Sequence, residues 1–147
     1  MKGSEGDAKL VAEAIEGLVA ALARQRHPTG DPEPGILSTF QSIALATLAD
    51  GGPMRLGSLA DTLRTTDATA SRTVDVLEQH GLVERRADPE DARGVIVAAT
   101  AEGRADVRRR RRRLVRLAER ALGDLSADET RRVAASLVDL QALLERR

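Results

Sequence analysis

Two short runs rich in β-branched residues interrupt a chain that is otherwise patterned for helices. The runs are Leu-Val-Glu-Arg-Arg at 82–86 and Val-Ile-Val-Ala-Ala at 95–99, and a charged segment with Pro and Gly separates them at 87–94. This pattern is typical of a β-hairpin with a charged loop. We therefore expect a mainly α fold with a two-stranded β ribbon.

Apolar residues recur at i, i+3 and i+4 on both sides of the hairpin, which predicts amphipathic helices. Gly81 and the Gly/Pro-rich segment 29–35 mark helix ends, and Ser126-Ala-Asp-Glu129 is a capping box that opens the last helix. The predicted helices span about 8–26, 37–49, 57–63, 68–79 and 101–122, and one more follows Ser126. In the fourth helix, Ala70, Val74 and Leu77 face inward.

The helices at the two ends of the chain, 8–27 and 101–146, have more apolar surface than a small central module can cover. We predict that they are dimerisation helices that pack on a second copy of the chain. Within this arrangement, residues 1–147 form a single domain, as expected for this length.

The composition excludes several classes of function. The chain has no Cys and only two separate His, so thiol chemistry, disulfides and a metal cluster are excluded, and His27 and His80 are interpreted as helix C-terminal residues. No catalytic grouping and no phosphate-binding Gly-rich loop is found, which predicts a protein that is not an enzyme and has no cofactor. No apolar run is long enough to span a membrane, and we expect a cytoplasmic protein.

The 23 basic and 23 acidic residues balance overall but are unevenly distributed. Segment 54–116 holds 14 arginines against 10 acidic residues, a net charge of +4, and the flanks together carry −4. The neutral total therefore hides a basic central module, which is compatible with a nucleic-acid partner.

A helix, a tight turn, a second helix and a β ribbon follow one another in the order of a winged helix-turn-helix, which we place at 53–100. In that fold the second helix enters the major groove of double-stranded DNA, and short hydroxyl side chains and arginine contact phosphates and base edges. Arg85 and Arg86 on the first strand are further candidates, of which one faces DNA because side chains alternate along a strand. The candidates on the turn and second helix are Thr66, Asp67, Thr69, Ser71 and Arg72.

The same residues resemble the DNA-binding core of the multiple-antibiotic-resistance regulator (MarR) family of bacterial transcription factors. The match includes Asp67-Ala-Thr-Ala-Ser-Arg72, Gly81-Leu-Val83 and Arg85, and Asp91-Ala-Arg93 followed by a strand and Thr100-Ala-Glu-Gly103 is similar to the family's wing. The resemblance implies that Arg93 inserts into the minor groove and that Asp91 holds its side chain in place. The alternative is an exposed ion pair worth at most ~1 kcal/mol.

Six consecutive arginines, 108–113, cover the whole circumference of the long helix after the wing, so some of them point inward. Arg110 and Arg111 occupy the turn where a buried apolar residue is expected. Three interpretations stay open: stems that cover apolar surface, pairing with acids of the first helix such as Glu13 or Glu16, or an anion site. The resemblance implies a small phenolic or carboxylate effector, for which Arg110, Arg111 and Phe40 are the candidate residues.

The sequence thus predicts a homodimeric regulator that binds a pseudo-palindromic operator with half-sites about 34–36 Å apart. The resemblance favours a repressor that a small-molecule effector releases from DNA. The alternative is a winged-helix protein-interaction dimer that has lost specific DNA binding. A winged-helix metal sensor is disfavoured because the chain lacks Cys and paired His.

Overall fold

A computed structural model describes residues 5–26 and 37–146. They fall into two compact units, divided between Ser38 and Thr39. Helix α1, Glu5–Arg26, belongs to the first unit. The second unit contains α2 (Thr39–Gly51), β1 (Met54–Arg55), α3 (Leu56–Thr62), α4 (Asp67–Gln79), β2 (Val83–Asp88), β3 (Asp91–Ala99), α5 (Ala101–Ala121) and α6 (Ala127–Glu145). The predicted loop 29–35 and His27 lie outside the described residues.

The predicted helices are confirmed to within three residues at their described ends, and the local signals explain their bounds. The Ser126 hydroxyl accepts a hydrogen bond from the Glu129 N–H while the Glu129 carboxylate accepts one from the Ser126 N–H, a complete capping box. Helix α4 ends at Gln79, and Gly81 follows with φ +68°, a left-handed conformation that favours glycine. As predicted, His80 caps this helix, with its Nδ1 atom 2.7 Å from the Val76 carbonyl oxygen.

The sheet has three strands, not the two that the sequence predicted. The strand order is β1-β3-β2 and both pairings are antiparallel, with Met54 opposite Val97 and Arg55 opposite Ile96. The connection between β2 and β3 is also shorter than the predicted loop 87–94, because only residues 89 and 90 separate the strands. The register shifts between Ala87 and Asp88, and this irregularity absorbs residues that the sequence placed in the loop.

Apolar side chains from α2, α3, α4, the sheet and the start of α5 form one core. The predicted inward residues of α4 are confirmed, since Ala70, Val74 and Leu77 are completely buried. The largest fully buried side chains among the described residues are Leu37, Leu45, Leu48, Leu59, Leu77, Val74 and Val97.

The long helices differ from this core because their apolar residues lie on the surface. None of the residues of α6 is buried, and α5 buries only Gly103 and Val107. No helix in the described residues is both long enough and apolar enough to cross a membrane. The exposed large apolar residues of α1, α5 and α6 are Leu10, Val11, Leu18, Val19, Leu114, Val115, Val133, Leu137, Val138, Leu143 and Leu144.

Candidate nucleic-acid interface

A four-residue turn, 63–66, sets the angle between α3 and α4. Its backbone closes back on α3, with the Leu63 N–H donating to the Leu59 carbonyl at 2.9 Å and the Thr65 N–H donating to the Ala60 carbonyl at 3.0 Å. Arg64 adopts φ +50°, a left-handed conformation uncommon for a residue with a side chain. Arg64 is exposed and lies in the short turn that a helix-turn-helix requires between its two helices.

The N-terminal turn of α4 presents hydroxyl groups and a guanidinium at the surface. Thr66 caps the helix by accepting a hydrogen bond from the Thr69 N–H at 3.2 Å, and its own hydroxyl donates to the Thr69 hydroxyl at 3.0 Å. The Arg72 Nη2 atom lies 3.4 Å from the same Thr69 oxygen, one turn further along. The structure therefore brings Thr66, Asp67, Thr69 and Arg72 together on one end of the helix, with Arg72 exposed.

The inner face of α4 contains a buried hydroxyl that sequence reasoning missed. Thr73 is 7% exposed, and its hydroxyl donates to the Thr69 carbonyl at 2.9 Å. A threonine can be buried in a helix because it satisfies its hydroxyl on the preceding turn. Its position between the inward residues Ala70 and Val74 is the signal that could have placed it in the core.

Arg85 joins β2 of the wing to α4 through two carboxylates of that helix. Its guanidinium lies 2.7 Å from Asp75 Oδ1 and 2.6 Å from Glu78 Oε2, and its backbone N–H donates to Glu78 Oε1 at 3.2 Å. A weaker contact of 3.3 Å reaches the Ser71 carbonyl. Burial opposes the charge, yet the two carboxylates raise the pKa of Arg85 above its ordinary value. These contacts hold the Arg85 side chain against α4 and pair its charge within the chain.

Arg86 is the more exposed of the two strand arginines, as the alternation of side chains predicts. Its side chain is 63% exposed, against 24% for Arg85, and it forms an ion pair with Glu84. A surface pair of this kind holds its side chain weakly. Arg86 is therefore the better placed of the two for an external phosphate.

Asp91 and Arg93 lie at the wing tip, and their contact differs from the one that the resemblance implied, in which Asp91 holds the Arg93 side chain. The Asp91 carboxylate accepts a hydrogen bond from the Arg93 backbone N–H at 3.0 Å, so it fixes the main chain and not the guanidinium. Arg93 is exposed and forms no ion pair with any residue that the structure describes. Its charge is therefore available for an external anion.

Arg110 and Arg111, the residues predicted for an effector site, carry acidic partners within the chain. Arg111 meets Asp50 at the end of α2 through two hydrogen bonds of 3.0 and 2.5 Å, which lower the pKa of the Asp50 carboxyl. Arg110 pairs with Asp106 on its own helix and lies 3.4 Å from the Ser42 hydroxyl. The acids that pair with these arginines are Asp106 and Asp50, whereas the interpretation from sequence named acids of the first helix, such as Glu13 or Glu16.

The third residue named for an effector site, Phe40, is partly buried near the start of α2. Among the residues that the structure describes, no group of three or more His, Cys, Asp or Glu side chains is arranged to hold a metal ion.

The sequence is similar to a known protein family and to transcriptional regulators from mycobacteria. The model of the MarR family matches residues 38–95, which include α2 to α4, β2 and the start of β3. The chain is 35% identical over 141 residues to a helix-turn-helix-type transcriptional regulator of Mycobacterium tuberculosis, covering 95% of each. It is 34% identical over 108 residues to an uncharacterised regulator of the same type from Mycobacterium leprae, covering 74% of this chain and 73% of that one.

Solved structures share the fold over nearly the full length. A MarR family protein from Bacillus stearothermophilus is similar with a TM-score of 0.74 and 21% identity, covering 97% of this chain and 99% of that one. FabT of Streptococcus pneumoniae, solved in complex with DNA, is similar with a TM-score of 0.73 and 18% identity, covering 97% of each. The two mycobacterial relatives are transcriptional regulators, which agrees with the expectation that the chain is not an enzyme.

Proposed function

Because this chain belongs to the MarR family of helix-turn-helix transcriptional regulators, we propose that it is a homodimer that binds a pseudo-palindromic DNA operator. The observation that carries the proposal is the presence of two exposed arginines without an acidic partner among the described residues, Arg72 on α4 and Arg93 on the wing tip. They stand on the two elements with which a winged helix-turn-helix meets DNA. The DNA complex of FabT supports this use of the fold.

In this proposal α4 enters the major groove with its capped end first. Its helix dipole and short hydroxyl side chains favour contact with phosphate there. Arg72 is long enough to reach a guanine edge, which offers two acceptors to a guanidinium. The residues proposed for the major groove are Thr66, Asp67, Thr69, Ser71 and Arg72.

The wing supplies the second set of contacts. We assign Arg93 to the minor groove, where a narrow A·T-rich segment concentrates negative potential, and Arg86 to a backbone phosphate. We assign Arg85 a supporting role without DNA contact, because its pairs with Asp75 and Glu78 fix the strand against α4.

The exposed apolar faces of α1, α5 and α6 support the homodimer. Residues such as Leu18, Leu137 and Leu144 are between 47% and 61% exposed. Contiguous apolar surface on a soluble protein is typical of an interface, and two-fold symmetric pairing is the most common solution for a second copy. Two-fold symmetry places the recognition helices about 34–36 Å apart, one turn of the DNA.

The proposed regulation is repression that an effector relieves. Because Arg110 and Arg111 are already paired, a phenolic or carboxylate effector would have to compete with Asp106 or Asp50 for these arginines. Such an effector would displace the aspartate from its arginine, and it would release DNA by binding the DNA-incompetent dimers more tightly than the DNA-competent ones.

The proposal is tested by selecting duplexes of about 30 base pairs, long enough for two half-sites with flanks, from a random library with the native protein. Fluorescence anisotropy then compares the native protein with Arg72→Ala, Arg93→Ala and Arg120→Ala, the last removing another exposed arginine, in the last turn of α5. We expect a loss of ~1–3 kcal/mol for the first two and no change for the third.

Two outcomes would overturn parts of the proposal. A native protein that enriches no duplex would favour the protein-interaction dimer, and equal binding by all four proteins would show that the contact residues are wrongly assigned. Repeating the titration with salicylate and simple phenols tests the effector, since a ligand that releases DNA lowers the affinity for the duplex.

A further inference from the structure

Asp88 is a buried carboxylate in a segment that the sequence predicted as an exposed loop. Its side chain is 4% exposed, and it stands at the end of β2, where the register with β3 shifts. A charged group is buried in a protein only where hydrogen bonds and an opposite charge replace its hydration. Its partners therefore indicate why the charge is there.

The two oxygens of Asp88 connect different parts of the winged module. Oδ2 accepts from the Nε and Nη2 atoms of Arg55, at 2.7 and 2.6 Å, and Oδ1 accepts from the Glu90 N–H at 2.9 Å. Arg55 belongs to β1 and is the residue directly before α3. One carboxylate thus holds the turn of the wing to the strand that leads into the helix-turn-helix.

The hydrogen bond from the Glu90 N–H and, to a smaller extent, the contact with Arg55 lower the pKa of the Asp88 carboxyl, although burial opposes them. The carboxylate is therefore ionised at neutral pH. This agrees with the geometry of its contacts, all of which are to N–H donors.

Gly94 makes room for Asp88 because it has no side chain. A Cβ atom on residue 94 would lie 2.9 Å from the Asp88 Cβ, 3.1 Å from its Oδ2 and 3.3 Å from the Asp91 carbonyl oxygen. A side chain there would displace Asp88 or the tip, because the first separation is shorter than Cβ contacts in proteins and the other two are unusually tight. Gly94 directly follows Arg93, so the same packing restrains the main chain that carries the exposed guanidinium.

We propose that Arg55, Asp88 and Gly94 form a wing clasp that positions Arg93 for the minor groove. In this inference, which rests on the proposed DNA binding, Asp88 is a positioning residue that contacts no DNA. A hairpin tip that is ordered before binding loses less conformational entropy when it binds. Its fixed link to β1 sets the reach of the wing relative to α4.

The test uses the selected duplex in two forms, one natural and one with 2,6-diaminopurine in place of adenine in the segments under the wings. This base leaves the major-groove edge of adenine unchanged and adds an amino group to the minor groove, which is where the readout separates A·T from G·C pairs. The variants are Asp88→Asn and Gly94→Ala, and Gly57→Ala is the matched control because nothing lies within 4 Å of its added methyl group.

We expect the native protein and Gly57→Ala to bind the natural duplex more tightly than the substituted one. Asp88→Asn and Gly94→Ala should bind the natural duplex about fivefold to a hundredfold more weakly, the range for loss of a base-reading arginine, and should no longer distinguish the two duplexes. A variant that was merely less stable would keep the distinction, so equal discrimination by native and variant proteins overturns the inference. It is also overturned if the native protein binds DNA but ignores the substitution.

Amide hydrogen exchange of residues 88–95 in the protein without DNA tests the clasp separately. We expect faster exchange at Glu90 and Arg93 in Asp88→Asn and Gly94→Ala, whereas Gly57→Ala leaves it unchanged. Arg55→Met should accelerate exchange and Arg55→Lys should restore part of the protection, because it keeps the charge but not the two-pronged contact. Unchanged exchange in these variants would overturn the clasp, whereas faster exchange with no binding of any duplex by the native protein would contradict only the proposed function.

Discussion

The winged module and the terminal helices use apolar residues in opposite ways. In the module, α2, α3, α4 and the sheet bury their leucines and valines within one chain, so that Leu45, Val74 and Leu77 are inaccessible to solvent. Helices α1 and α6 also carry leucines and valines, but α6 buries none of its residues and Leu18 of α1 is 47% exposed. The difference indicates that the module is held by its own core, and it is compatible with the proposal that the long helices pack on a second copy.

The largest contrast in unfolding free energy is expected between alanine substitutions at two helical glycines. A methyl group on Gly103 would lie 2.0 Å from the Leu82 carbonyl oxygen, so Gly103→Ala forces backbone apart and should cost about 3 kcal/mol or more in unfolding free energy. Gly17 in α1 has nothing within 4 Å, and Gly17→Ala should stabilise its helix by about 0.5–1 kcal/mol. Urea unfolding followed by circular dichroism measures both. Similar effects of the two substitutions would contradict the distinction between packed and unpacked helices.

An intermediate effect is expected from charge placed on the exposed face of α6. Leu137 is 50% exposed, and Leu137→Glu should convert the proposed dimer to a monomer because burying an unpaired carboxylate at an interface is unfavourable. Sedimentation velocity gives the mass. Val95→Glu, at a 39% exposed position of the wing, should leave the dimer intact. A Leu137→Glu protein that remains dimeric would show that α6 is not part of the interface.

The smallest effect on stability is expected from removing the helix cap at the start of α6. Ser126→Ala removes the capping hydroxyl and should cost about 1 kcal/mol at neutral pH, whereas Ser136→Ala, whose hydroxyl only bonds the Arg132 carbonyl within the helix, should be neutral. The hydrogen bonds from the Ser126 hydroxyl and N–H lower the pKa of Glu129. This stabilisation is present above the ordinary glutamate pKa near 4.3 and is lost as the pH falls through the lower native pKa.

Thermal unfolding between about pH 7 and pH 3, a range that spans the ordinary glutamate pKa, should therefore show the difference between native protein and Ser126→Ala narrowing in acid. A difference independent of pH would mean that Glu129 does not take part in the cap.

Local signals were sufficient to predict most of the elements. Periodicity placed the helices, Gly81 and Ser126 marked ends that the structure confirms, and the β-branched runs located the hairpin. The inward face of α4 was also readable, because three apolar residues at helical spacing leave little choice of orientation. The hydroxyl-rich end of that helix followed from the same pattern.

Features that depend on residues far apart in sequence were not predictable. Strand β1 has two residues, too few for an alternation, and exists because Met54 and Arg55 meet β3 some 40 positions later. The acids that pair with Arg111 and Arg85 stand at positions 50, 75 and 78, and no local spacing identifies them. Asp88 lies in a segment whose composition is typical of a solvated loop, and only its contact with Arg55 explains its burial.

The close approach of Gly103 to Leu82 has a consequence for how this protein can move. Leu82 is where the chain leaves α4 and enters the wing, and further hydrogen bonds join both this corner and the end of β3 to the start of α5. The Thr100 hydroxyl donates to the Gly81 carbonyl, the Thr100 N–H donates to the Leu82 carbonyl, and the Arg104 guanidinium donates to the Ala99 carbonyl. These contacts link α4, the wing and the first turn of α5, and we expect the three to move as one body. We expect any change in operator affinity to arise from rotation of that whole body about the later turns of α5, and not from tilting of α4 alone.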